Sequence, residues 1–142
     1  MRILCDTNTI FSVLYHDGIE RWFVEQAINR GHTIVVTDSI LAELDDVLHR
    51  KLPKNRQQGA LQLLAALSYH PSVWTKKHDQ YTDLIAQADM YINKKDAPIL
   101  AAGLQEEIGA LVSGDKDFIK NPKLRSLRKK KIFTTREMLE RL

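Results

Sequence analysis

Residues 110–115 read Ala110-Leu111-Val112-Ser113-Gly114-Asp115. The apolar run is too short for a helix and shows no alternation, so it predicts a strand buried on both faces, closed by a turn and an acid. The chain opens the same way, with Ile3-Leu4-Cys5 ending at Asp6. Three further short runs match: Thr33-Ile34-Val35-Val36, Ser72-Val73-Trp74-Thr75 and Lys131-Ile132-Phe133-Thr134. Between them lie stretches of helical spacing, at about 7–15, 19–30, 38–51, 55–69, 79–92, 96–107, 117–120 and 135–141. In the second, Ile19, Trp22, Phe23, Ala27 and Ile28 form the apolar face and Gly31 supplies the stop; in the fourth, Leu61, Leu64, Ala65 and Leu67 or Ser68 face inward. Pro98, in the first turn after Asp96, marks a helix start. Strands alternating with helices predict a three-layer α/β domain over residues 1–142, with a mostly parallel sheet.

Composition narrows the class. The 142 residues are 44% hydrophobic and 27% charged, the profile of an ordinary folded domain. The lone cysteine, Cys5, excludes an internal disulfide framework and fits a reducing, cytoplasmic setting. No apolar run approaches the ~20 residues that span a bilayer, so no membrane role is expected. The net charge of +3 conceals an asymmetry: Lys116 to Lys131 holds eight basic residues and one acid, Asp117, on a remainder of the chain that is net acidic. Such a segment suits a polyanion such as nucleic acid, or simply a solvated surface.

In a parallel sheet every strand ends on one edge, and ligands bind in the crevice where strand order reverses. Asp6 and Asp115 both follow strands directly, so both lie on that edge. Asp96 opens the helix that feeds the fourth strand. On the helix after the second strand, Ile40 centres the apolar stripe; at ~100° per residue Glu43 falls at its border and Asp45 and Asp46 outside it. Taken singly, each acid has an ordinary reading: Asp96 and Asp117 as helix caps, Asp115 as a turn residue, Glu43 as a rim residue. Together, carboxylates converging on one crevice repel one another, and a divalent cation removes that cost. All-oxygen ligation favours Mg²⁺ or Mn²⁺. Cys5 lies inside a strand, and His16, His32, His49, His70 and His78 have no metal-ligand spacing, so none competes with the acids.

At these residues the sequence resembles a PIN-domain nuclease. Ile3-Leu4-Cys5-Asp6-Thr7-Asn8 is similar to the family's opening strand and first acid; Ser39-Ile40-Leu41-Ala42-Glu43-Leu44 to the helix with the second; Asp96-Ala97-Pro98-Ile99-Leu100-Ala101-Ala102 to the third; and Ser113-Gly114-Asp115-Lys116-Asp117-Phe118 to the fourth. The order holds over essentially the whole chain, and the small size resembles the VapC-type toxins of bacterial toxin–antitoxin pairs. The resemblance implies a five-stranded parallel sheet of order 3-2-1-4-5 and a metal-dependent endoribonuclease. It implies Asp6, Glu43, Asp96 and Asp115 as the catalytic acids, with Asp6, Asp96, Asp115 and the auxiliary Asp117 around Mg²⁺ or Mn²⁺. Asn8 and Ser113 stand where polar groups support the carboxylates; Ser113 replaces the threonine of many members. Lys116, Lys120, Lys123, Arg125, Arg128 and Lys129 are candidate contacts to RNA backbone. A homodimer and a cognate antitoxin are implied partners. A housekeeping PIN nuclease acting on RNA or DNA, and a silent PIN scaffold used for binding, share much of this pattern. A phospho-receiver domain would need an acid after its middle strand, where Trp74-Thr75-Lys76-Lys77 stands. A haloacid-dehalogenase phosphatase would need a second Asp where Asn8 stands.

Overall fold

The computed structural model describes residues 1–142 and contains one five-stranded sheet, all parallel, in the order β3-β2-β1-β4-β5. The strands are β1 (Arg2–Cys5), β2 (Thr33–Thr37), β3 (Val73–Lys76), β4 (Ala110–Val112) and β5 (Ile132–Phe133). β1 is central, with Leu4 in register with Val35 on one side and Leu111 on the other. Ile3, Leu4, Cys5, Val35 and Val112 are fully buried, as expected for strands covered on both faces. The strand order reverses between β1 and β4, so Asp6 and Asp115 leave neighbouring strands at the switch point.

The helices are α1 (Thr7–Tyr15), α2 (Ile19–Asn29), α3 (Asp38–Lys51), α4 (Lys54–Ser68), α5 (Ile85–Asp89), α6 (Ala97–Leu104), α7 (Lys116–Ile119), α8 (Arg125–Lys130) and α9 (Thr135–Arg141). α1–α4 pack together, with α9 on α2, and α5 packs on α6; the right-handed crossover rule for parallel strands puts these two groups on opposite faces of the sheet. Local chemistry sets several boundaries. Gly31, at φ +83°, takes the left-handed conformation that stops α2. The Thr37 hydroxyl caps α3 by accepting from the Ile40 N–H at 3.0 Å. A capping box, Thr134 with Glu137, starts α9. No helix is long and apolar enough to cross a membrane.

Three expectations change. The helix expected over 79–92 is two 3₁₀ turns, His78–Gln80 and Thr82–Leu84, followed by the short α5. The cause is tertiary. Tyr81 is fully buried, and its hydroxyl donates to Asp38 Oδ1 at 2.6 Å and lies 2.9 Å from Ser39 Oγ, while the His78 N–H donates to Asp38 Oδ2 at 2.8 Å. Two anchors that close together hold the chain in tight turns. The basic stretch, to which the spacing assigns no element between about 120 and 131, holds a 3₁₀ turn (Pro122–Leu124) and α8. On α4 only Ala60 is buried; Leu61, Leu64, Leu67 and Ser68 are half-buried and Ala65 faces water. That helix rests on α1 and α3 by one edge, so its inward stripe is narrower than its apolar content suggests.

Candidate active site

Asp6 is the last residue before α1 and stays tied to β4, its N–H donating to the Val112 carbonyl at 3.2 Å. Its side chain is almost wholly buried. One oxygen caps α1 by accepting from the Thr9 N–H at 2.9 Å, and the other accepts from the Ser113 hydroxyl. The same Ser113 oxygen accepts from the Asp115 N–H at 3.0 Å. A single hydroxyl therefore links the acid after β1 to the acid after β4. Asp115 Oδ1 in turn accepts from the Asp117 N–H at 2.9 Å, which starts α7.

Glu43 is half-buried on α3, with Asp45 and Asp46 on its solvent side, as the helical arithmetic predicts. Its Oε2 accepts from the Thr7 hydroxyl at 2.9 Å. Asp96 precedes α6, yet its side chain caps nothing in that helix. Instead Asn93 Nδ2 donates to Asp96 Oδ2 at 2.8 Å and to Asp117 Oδ2 at 3.1 Å, and Asn93 Oδ1 accepts from the Asp96 N–H at 3.0 Å. The ordinary reading of Asp96 as an N-cap is thereby replaced: its carboxylate is turned toward the other acids.

Asp6, Glu43, Asp96 and Asp115 line one cleft of about 260 Å³, together with Thr7, Asn8 and three cations, Arg50, Lys51 and Lys95. Carboxylate oxygens of Asp96, Asp115 and Asp117 lie within 4.8 Å of one another. Burial pushes the Asp6 carboxyl above the usual carboxylate range; hydrogen bonds from Ser113 and Thr9 oppose this and the charge of Asp115 adds to it. Burial also raises Asp96, opposed by its bond from Asn93 and reinforced by the charges of Asp115 and Asp117. The five ion pairs of the chain involve none of these acids. Crowded carboxylates with no paired cation form an all-oxygen donor set that fits a hard divalent ion. Cys5, beside the site in β1, is fully buried, and burial pushes its thiol up, so it supplies no thiolate.

Other expected residues fall out differently. Asn8 lines the cleft but is exposed; the hydroxyl that reaches the acidic set is that of Thr7. Lys116, Lys120, Lys123, Arg125 and Lys129 are exposed. Arg128 is engaged internally: its guanidinium donates to both Glu137 oxygens, at 2.7 and 3.1 Å, and to the Ile132 carbonyl at 2.9 Å. It pins α8 to α9 and is not a free phosphate contact. Sequence reasoning passed over Thr7 and Asn93. The signal for Asn93 was its place three residues before Asp96, where an Asn side chain readily accepts from a backbone N–H and closes a local turn.

The PIN domain family matches residues 2–117. No curated protein matches the chain. Among solved structures, the fold is similar to the sarcin-ricin loop cleaving toxin VapC20 of Mycobacterium tuberculosis, with a TM-score of 0.59 and 16% identity over 81% of this chain and 91% of that one. It is also similar to VapBC2 from Rickettsia felis, solved bound to a DNA fragment from their promoter, with a TM-score of 0.62 and 16% identity over 94% and 98% of the two chains. Identity this low speaks to fold. The family match, by contrast, runs from the first strand through all the acids of the cleft, and on that ground the chain belongs to the PIN domain family.

Proposed function

We propose that this chain is a metal-dependent endoribonuclease that hydrolyses RNA phosphodiester bonds, and that it is the toxin of a toxin–antitoxin pair. The observation that carries the reading is the gathering of Asp96, Asp115 and Asp117 oxygens within 4.8 Å, beside buried Asp6, with none of the four in an ion pair. Asp6, Asp96, Asp115 and Asp117 would hold Mg²⁺ or Mn²⁺. Such an ion, when bound, acidifies water and stabilises charge on phosphoryl oxygens. The protein's own part is to place groups. The Thr9 N–H and the Ser113 hydroxyl fix Asp6 by both its oxygens, and Asn93 fixes Asp96 by Oδ2 and leaves Oδ1 free to bind. Glu43, with Oε2 held by Thr7, offers Oε1 to take a proton from the attacking water. Water adds at phosphorus as the bond to the 3′-oxygen breaks in line, and that oxygen takes a proton from solvent, leaving a 5′-phosphate and a 3′-hydroxyl. Arg50, Lys51 and Lys95 at the cleft rim favour a polyanion without reading its sequence.

The toxin reading draws on the two structural neighbours, one a toxin that cleaves the sarcin-ricin loop, the other a VapBC complex. It carries with it a cytoplasmic location, an antitoxin partner and a homodimer. The deciding assay is cleavage of single-stranded RNA with Mn²⁺ or Mg²⁺, with EDTA as control. Cleavage that needs metal and disappears in Asp115→Asn is expected; an inert unmodified protein in both metals overturns the reading. Growth arrest on expression, relieved by Asp6→Asn, separates a toxin from a housekeeping nuclease.

A further inference from the structure

Beyond the acidic cleft, on the far side of Asn93 and Asp117, lies a second cleft of about 280 Å³. One wall is the segment after α5, with Met90, Tyr91 and Asn93; the other runs from Asp117 to Asn121 and Lys123. The walls are joined at two points: Asn93 donates to Asp117 at 3.1 Å, and Asn121 Nδ2 donates to the Tyr91 carbonyl at 2.8 Å. The cleft is therefore formed before any ligand arrives. Two features of it lack a structural purpose. Met90 and Tyr91 are consecutive large apolar side chains at 70% and 38% exposure, and no aromatic ring of the chain packs on Tyr91. Lys123 is exposed and belongs to no ion pair, although the Asn121 side chain fixes its backbone by accepting from its N–H at 3.0 Å.

We propose that this cleft binds the nucleotide next to the scissile phosphate, its base laid against Tyr91 and Met90 and its phosphate on the Lys123 ammonium. The proposal rests on the nuclease reading above, because the acidic set fixes where the scissile phosphate lies. Single-stranded RNA is held largely by bases stacked on exposed aromatic rings and by phosphates on nearby cations. Asp117 lines this cleft while its carboxylate lies within 4.8 Å of Asp96 and Asp115 of the acidic one, so the two clefts adjoin and a strand crossing the acids runs into this one. Asp89, also in the lining, suits the amino edge of a base and disfavours a second phosphate deeper in the cleft. Nothing in the α3 helix or its neighbouring cations provides an equivalent platform: Arg50, Lys51 and Lys95 offer charge without an exposed ring beside them.

The test is equilibrium binding of a fluorescein-labelled, mixed-sequence single-stranded RNA oligonucleotide, followed by anisotropy in the Asp115→Asn protein so that the probe survives. Adding Tyr91→Ala should weaken binding roughly tenfold, the scale of one lost base–aromatic stack, while Tyr91→Phe restores it. Lys123→Ala should also weaken binding and flatten its salt dependence by about one phosphate contact. Thermal melts check that each variant folds, and Lys123, wholly on the surface, serves if Tyr91→Ala does not. Affinity unchanged in both Tyr91→Ala and Lys123→Ala overturns the subsite, whereas metal-dependent cleavage by the unmodified protein would then still uphold the nuclease reading. Failure of that cleavage, with or without RNA binding, overturns both.

Discussion

Two places in this molecule take charge out of water, and they do so in opposite ways. Near the end of β3, Lys76 is fully buried, yet its ammonium meets Glu107 and lies 4.9 Å from the centre of the Trp74 ring, whose face also carries the Arg2 guanidinium at 4.6 Å. The buried ammonium there has its counterpart, and contact with Lys76 holds the Glu107 carboxyl below its usual range. At the β1/β4 edge the buried charges are all of one sign, and burial with mutual repulsion pushes Asp6 and Asp96 upward. A buried pair is complete as folded. Carboxylates crowded together, two of them buried (Asp6 and Asp96), are balanced only with something added, and that difference marks the second place as the working one.

The contrast is broken or sharpened first by neutralisation. Asp6→Asn, Asp96→Asn and Asp115→Asn should each lower metal-dependent RNA cleavage by at least about a hundredfold, since even partners one shell out from a metal typically cost 10–100-fold. Melting temperatures should hold or rise, because each change removes repulsion and leaves an amide oxygen able to keep an accepted bond: the α1 cap at position 6, the α7 cap at 115 and the bond from Asn93 at 96. A variant with near-normal turnover loses its place in the acidic set. The next effect is that of metal itself. Mn²⁺ at about a hundred times its dissociation constant should add roughly 2.7 kcal/mol to unfolding free energy. Calorimetry or fluorescence melts would show this as several degrees, and Asp96→Asn should abolish most of it. A flat response at millimolar Mn²⁺ counts against a competent site.

The paired region predicts the opposite sign. Glu107→Gln leaves a buried ammonium without its anion and should destabilise by about 1–3 kcal/mol, below the ~3–5 kcal/mol of a fully buried broken pair because Glu107 is partly exposed. Lys76→Met, of similar volume and apolar, should cost less than that. Urea unfolding of the two variants decides it: if Glu107→Gln is as stable as the parent, Lys76 is not relying on its partner and the contrast between the two regions collapses.

How far this was legible from the residues follows from what each feature depends on. Asp6 and Asp115 were placed by strand ends alone, since parallel strands share an edge whatever the loops do. Glu43 was placed by angle on a regular helix. Thr7 and Asn93 were not, because whether a hydroxyl or amide reaches a carboxylate depends on loop paths that no periodicity encodes. The same holds for residues 78–92, where the spacing suggests a helix but burial of Tyr81 on Asp38 and Ser39 holds the chain in turns. Arg128 was legible as a charge but not as a partner. Glu137, nine residues on, meets it only because β5 is two residues long and α9 starts at once.

That last pair supplies the smallest predicted effect and closes the contrast through pH. Bonding from Arg128 holds the Glu137 carboxyl down at about 2, so in the unfolded chain it takes up a proton more readily than in the folded one. Its stabilisation is therefore fully present above the ordinary carboxylate range and is lost as pH falls through that range toward about 2. Both side chains are partly exposed, so the contribution should be about 0.5–1 kcal/mol and reduced by salt. Asp6 and Asp96 work the other way. Their folded carboxyls hold protons more tightly than the unfolded chain does, so without metal their charge destabilises at neutral pH and is relieved as pH falls through their raised values. Metal-free protein followed by urea unfolding from neutral to acid pH should first gain a little stability and then lose it. Asp96→Asn should shrink the gain, and Arg128→Met should flatten the later loss. Adding Mn²⁺ should reverse the first limb, because a bound cation favours the ionised carboxylates that bare protein resists. A first limb unchanged by either Asp96→Asn or Mn²⁺ would mean that the repulsion at the sheet edge is not felt by the fold.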